Sequence, residues 1–234
     1  MDRPFRDRRE AGRYLAAALE RFRHSEPVVL ALPRGGVPVA FEVAERLQAP
    51  LDVLIVRKLG APGHEELAMG AIASGGAVVL NHDVLRLLKV SHETVENEAA
   101  RESAELMRRE ALYRSGLPPL NVRGRNVLLI DDGLATGASM KVAVDVLRQH
   151  APAQLTVAVP IASPEACQLL QSVADDVICA HTPERFVALS LWYQNFEQTS
   201  DREVSELLRA RRAGLSQGQP VELELKAPRT ARGS

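Results

Sequence analysis

Aromatic residues are scarce in this chain, at 4% of the composition with a single tryptophan, so any cluster of them is informative. Cysteine is scarcer: Cys167 and Cys179 are too few for a disulfide framework and lack metal-ligand spacing. A reducing compartment is the simplest expectation. Excess charge is also missing. The formal net charge of -1 gives no global reason to expect nucleic acid as a partner. No apolar run approaches the length needed to span a bilayer, and Met1-Asp2-Arg3-Pro4 opens a charged segment rather than a signal peptide. These absences lead to the expectation of a soluble, cytoplasmic protein without a membrane partner. Neither Gly-x-Gly-x-x-Gly nor Gly-x-x-x-x-Gly-Lys follows an apolar run, which argues against a nucleotide-binding dehydrogenase or a kinase.

What is present is a core. Hydrophobic residues make up 46% of 234 positions, enough for one large domain or a core with a small appendage. The chain centres on Val127-Leu128-Leu129-Ile130-Asp131-Asp132-Gly133-Leu134-Ala135-Thr136-Gly137-Ala138-Ser139. Four consecutive apolar residues predict a strand buried on both faces, as in the middle of a parallel sheet. Two acids follow at its C-terminal end, where open α/β sheets present ligand-binding groups. A turn of small and hydroxyl residues then enters an apolar-periodic helix, Met140 to Leu147. Such a turn directs backbone N–H groups and a helix N-terminus into one small space, which suits a phosphate. Ionised carboxylates accept hydrogen bonds from vicinal hydroxyls, so a sugar 5-phosphate would satisfy both ends. The plainer alternative is another α/β strand–turn–helix in which the acids only cap the helix.

The segment resembles the phosphoribosyl pyrophosphate (PRPP) binding motif of the type I phosphoribosyltransferases. The resemblance implies that Asp131 and Asp132 take the ribose hydroxyls and that Ala135, Thr136, Gly137, Ala138 and Ser139 wrap the 5-phosphate. The same acids would contact Mg²⁺, through water, and Asp132 would act in catalysis by offering negative charge near the developing sugar cation.

Upstream, residues 6 to 22 carry Tyr14, Leu15, Leu19 and Phe22 at spacings suiting an amphipathic helix against the outside of the sheet. Val28 to Leu32 predicts the first buried strand. It ends in Pro33-Arg34-Gly35-Gly36 before a helix from about Val37 to Leu47. Paired glycines let backbone N–H groups approach an anion, and Arg34 adds a fork of donors; a plain turn with a surface arginine is the alternative. In the resembled family the corresponding loop binds pyrophosphate and often holds a cis peptide. Leu51 to Val56 predicts a second strand ending at Arg57-Lys58. Residues 59 to 66, with Pro62, Gly63, His64 and Glu65, predict a mobile loop. The resemblance makes that loop a lid. Arg34, Gly35, Gly36, Arg57 and Lys58 would neutralise pyrophosphate, and His64 or Glu65 would exchange a proton with the acceptor. A solvated loop histidine is the competing reading of His64.

Ala77 to Leu80 predicts a short strand. His82 to Arg114 turns helical and highly charged, with Ser91 as N-cap, and Pro118-Pro119 ends the excursion. That charged helix could support an oligomer interface such as a homodimer's, though a solvated face explains it as simply. Leu155 to Ile161 and Val177 to Ala180 predict two further strands around a helix begun by Ser163-Pro164-Glu165. Alternating strands and helices give an α/β fold, a doubly wound and mostly parallel sheet with a small C-terminal hood. The expected organisation is an N-terminal helix over 1–26 and a core over 27–183 interrupted by a helical excursion over 82–118. An aromatic segment with a helix follows over 184–212, then a loose tail over 213–234.

Phe186, Trp192, Tyr193 and Phe196 cluster past the last predicted strand. Phe186, and behind it Trp192, would stack a planar base; a satellite core is the preferred reading of Trp192 and Phe196. Ala135 stands where enzymes acting on hypoxanthine and guanine carry an acid, which weighs against a 6-oxopurine. The resemblance therefore implies phosphoribosyl transfer from PRPP to a nitrogen nucleophile, a nucleobase above all, with Mg²⁺ and a setting such as purine salvage. The competing expectation is a non-catalytic sensor of PRPP or nucleotide on the same fold.

Overall fold

Alternate residues of the central strand bury on opposite sides of a sheet, and that is why its apolar run is unbroken. The computed structural model describes residues 4–115 and 121–218. Within it, strands β1 (Val28–Ala31), β2 (Leu51–Val53), β6 (Asn126–Ile130), β7 (Gln154–Val159) and β8 (Asp176–Cys179) form one parallel sheet in the order β2-β1-β6-β7-β8. Leu128 and Ile130 join a core shared with α1 (Arg8–Ala18), α2 (Gly36–Leu47) and α7 (Asp201–Gly218). Val127 and Leu129 join the opposite core, under α5 (Ala138–Gln149) and α6 (Pro164–Gln171). The doubly wound expectation holds.

The region 51–80 departs from expectation. Instead of one strand to Val56 and a mobile loop, the chain forms an antiparallel sheet of β3 (Val56–Ala61), β4 (His64–Ala73) and β5 (Ala77–Leu80). The breaker residues that predicted a loop are absorbed in a hairpin. Register shifts at Leu59/Gly60 and Gly60/Ala61 accommodate Gly60, and Gly63 takes φ +73° in the turn. The charged excursion divides into α3 (His82–Leu87) and α4 (His92–Arg114), and the Ser91 hydroxyl caps α4 by accepting from Thr94 N–H at 3.1 Å. The Pro118-Pro119 break and residues 219–234 of the expected tail lie outside the described residues. Residues 213–218 continue α7 rather than starting a tail.

Cys167 and Cys179 correct a second expectation: they are joined in a disulfide. The chain reverses between α6 and β8, which brings the two positions together across 12 residues of sequence. Among the described residues no helix is long and apolar enough to cross a membrane.

α1 packs on α2 rather than on the sheet, burying Ala11, Gly12, Leu15 and Ala16. Gly12 makes the closest approach, since a Cβ there would lie 2.6 Å from the Val39 carbonyl oxygen. Gly12→Val should therefore push the helices apart and cost about 1–3 kcal/mol. Denaturant unfolding checks this, and an unchanged midpoint would contradict the close approach.

Candidate active site

The C-terminal ends of β1 and β6 converge, because the strands pair in parallel with Ala31 beside Ile130. This sets the Pro33-Arg34-Gly35-Gly36 turn against Asp131-Asp132. The Pro33–Arg34 peptide bond is cis. The two glycines have a packing reason beyond the anion contact expected of them. A Cβ on Gly35 would lie 2.2 Å from Asp132 Oδ2, and one on Gly36 would lie 2.8 Å from the Ile130 carbonyl oxygen.

Asp131 opens on a cavity of about 270 Å³ that Pro33, Lys58, Ala138 and Ser139 also line. Its Oδ1 accepts from the Asp132 N–H at 2.8 Å. Burial, and after it the neighbouring Asp132 charge, pushes the Asp131 carboxyl well above the usual carboxylate range. Asp132 does not line this cavity. It turns toward α1, where Arg8 Nε donates to its Oδ2 at 2.7 Å. Burial raises its carboxyl too, and Arg8 partly offsets that.

The expected phosphate turn follows. The Leu134 N–H donates to the Ile161 carbonyl at 3.0 Å, and the Ser163 hydroxyl donates to the Ala135 carbonyl at 2.7 Å, so the turn is tied to the start of α6. Gly137 takes φ +74° at the start of α5 and offers no side-chain cap, and the Ala138 N–H makes only a long bond, 3.4 Å, to Thr136 Oγ1. That leaves the start of α5, at exposed Ala138 and Ser139, facing solvent where helix N-termini favour an anion.

Of the three predicted cations, Arg34 lies in the turn before α2, and Arg57 and Lys58 share β3. Arg34 Nη1 is 3.6 Å from Asp201 Oδ1, at the start of α7. Arg57, inside β3 rather than at a strand end, pairs with Glu102 of α4, Nη2 to Oε2 at 2.6 Å. Lys58 follows on β3, facing Ala71 of β4 and lining the cavity. His64 is exposed at the start of β4, beside the hairpin turn. Glu65 is in β4 by its backbone, and its side chain lies outside the described residues.

Phe186 is half-buried in the connection between β8 and α7 and does not line the cavity. Trp192 packs with Phe5, Ala11, Tyr193 and Phe196, edge-on to His181 at 5.1 Å, so the satellite core is what the structure gives it. Among the described residues no three metal-ligating side chains converge on a point. The cavity-facing carboxylate, Asp131, suits an ion that keeps most of its waters and arrives with substrate phosphates, which is how Mg²⁺ is usually held.

Arg8 and Tyr193 are the residues that sequence reasoning missed. The Tyr193 hydroxyl donates to the Asp132 carbonyl at 2.5 Å, and burial followed by the Asp132 charge raises its pKa. A signal for Arg8 existed: it precedes Ala11, Gly12 and Leu15 by three, four and seven residues, which puts it on the buried face of α1.

Comparison with known proteins adds a family. The model of the phosphoribosyl transferase domain matches residues 8–191. A Mycobacterium tuberculosis H37Rv protein, provisionally named phosphoribosyl transferase Rv0571c, is 46% identical over 204 residues, covering 87% of this chain and 46% of that protein. The chain thus spans about half the length of the curated relatives it matches. The crystal structure of TT1426 from Thermus thermophilus is 46% identical, with a TM-score of 0.79, covering 88% of this chain and 97% of that one.

Proposed function

The chain belongs to the phosphoribosyl transferase domain family, a pentosyltransferase class of enzyme, and from that premise we propose that it moves the 5-phosphoribosyl group of PRPP to a nitrogen nucleophile. The observation that carries this reading is the shared cavity: Asp131 and the start of α5, at Ala138 and Ser139, open into one space. The amides of Ala135 to Ser139 hold the 5-phosphate, and Asp131, with Asp132 behind it, holds the ribose hydroxyls. Lys58, Arg57 and Arg34, with the backbone of Gly35 and Gly36, hold the pyrophosphate.

The acceptor nitrogen bonds to C1 as the C1–O bond to pyrophosphate breaks, and the bonding pair leaves with the pyrophosphate. Positive charge gathers on the sugar meanwhile, and the acids answer it electrostatically. Asp131 would be the protein contact of Mg²⁺, an ion that neutralises the leaving pyrophosphate when bound. His64 or Glu65 takes the acceptor's proton, and the β3–β4 hairpin covers the bound donor and excludes water. A nucleobase is the acceptor class, with Phe186 as its stacking surface. The test is pyrophosphate release from PRPP and Mg²⁺ across a panel of bases and other nitrogen nucleophiles. Release with one acceptor and not with water supports transfer. Tight PRPP binding without release for any acceptor favours the sensor instead.

A further inference from the structure

Arg8 lies outside every role assigned so far, yet its geometry is built. Its Nε donates to Asp132 Oδ2 at 2.7 Å while its Nη1 donates to the Glu197 carbonyl at 2.6 Å. The guanidinium is stacked 4.1 Å from the centre of the Phe196 ring. Both the Arg8 and Asp132 side chains are only 11% exposed, so this is no surface pair. Phe5 pairs in parallel with Tyr193 just before α1, and Tyr193 grips the Asp132 carbonyl. Gly35 closes the same contact, since a Cβ there would meet Asp132 Oδ2 at 2.2 Å and Arg8 Nε at 3.4 Å.

We infer that Arg8 is a positioning residue: from α1 it fixes Asp132, whose N–H holds Asp131 Oδ1, and so sets the cavity-facing acid for the phosphorylated sugar. The inference rests on the donor reading above and extends it to the N-terminal helix. A carboxylate offers about four lone-pair directions. Arg8 occupies one on Oδ2 and fixes the plane of the group, and with it the backbone whose N–H holds Asp131. Arginine suits the task because one rigid fork reaches both the acid and the Glu197 carbonyl while stacking on a ring, which a lysine ammonium cannot do. Asp132 is thus held jointly by α1, the 193–197 segment and the Pro33–Gly36 turn. A ligand that engages the adjoining Asp131 reads all three.

A double-mutant cycle tests this, with PRPP affinity measured by calorimetry and melting temperature followed in parallel. Arg8→Gln should weaken PRPP about tenfold, whereas adding it to Asp132→Asn should change affinity less than about twofold, because the two act through one another. A role in stability alone would lower melting temperatures and leave the affinity losses independent. Should Arg8→Gln fail to fold, Phe196→Leu keeps both charges, removes the ring beneath the guanidinium, and should weaken PRPP about threefold. Additive losses in the cycle, or unchanged affinity in both Arg8→Gln and Phe196→Leu, overturn the inference. Absence of PRPP binding by the unmodified chain overturns the donor reading itself, and this inference with it.

Discussion

Asp131→Asn should weaken PRPP binding about a hundredfold, roughly 2.7 kcal/mol, and yet melt above the unmodified chain at neutral pH. Both effects come from one enclosed carboxyl. Binding falls because an amide offers a weaker, half-donating surface where the sugar's hydroxyls need an acceptor. Stability rises because burial and the Asp132 charge hold the Asp131 carboxyl well above its ordinary value of 3.8. The folded state then binds this proton more tightly than the unfolded chain does. Stability contributed by the group is greatest at low pH and is lost as pH rises from about 3.8 through the raised folded value. Asparagine carries no such penalty, and its oxygen can still accept from the Asp132 N–H. The gain in melting temperature should therefore shrink toward zero near pH ~3, where both states hold the proton. A gain that ignores pH, or a lower melting temperature at neutral pH, would contradict the electrostatic account. A site that is less stable than its neutral replacement is a common sign of function held against stability.

Arg57→Ala should cut turnover about 10²–10³-fold, the range seen when one preorganised donor to developing charge is removed. Its stability effect should be much smaller. The Arg57–Glu102 pair is partly exposed, at 31% and 12% for the two side chains, and solvent weakens such pairs. Glu102→Gln is the companion measurement. If Arg57 serves the pyrophosphate, freeing it from Glu102 leaves turnover intact or raises it. If Arg57 serves chiefly to hold α4 against β3, the two variants lose stability and activity alike. Steady-state pyrophosphate release, read beside melting temperature, separates the outcomes.

The local structure of the candidate site was legible because its parts are contiguous. A buried strand, two acids and a turn into a helix occupy thirteen consecutive residues, and each imposes its own local pattern. The strands of the parallel sheet could be read for a related reason: helices cover both faces, so apolar residues run without alternation. The hairpin at 56–73 was not legible as structure, because Gly60, Pro62 and Gly63 signal a break whether it becomes a loop or a bulged turn. The disulfide was hidden because pairing depends on how α6 returns beside β8. Arg8 was hardest. It is one of four arginines in the first nine residues, and its partner is 124 positions away. Local periodicity marked its face as buried, but only the packing of α1 on α2 shows what that face meets. The division of the acids was equally out of reach, since adjacent carboxylates look alike until Gly35 and Arg8 claim one of them.

The claim beneath all of this is that one turn of backbone, beside a single cavity-facing acid, receives the phosphate end of a phosphorylated ribose. Amide-resolved NMR of the labelled chain titrated with PRPP tests it directly. The account predicts the largest shifts at the amides of Ala135 to Ser139, saturating with PRPP and much reduced in Asp131→Asn. Shifts centred elsewhere, or none at saturating PRPP, would contradict it.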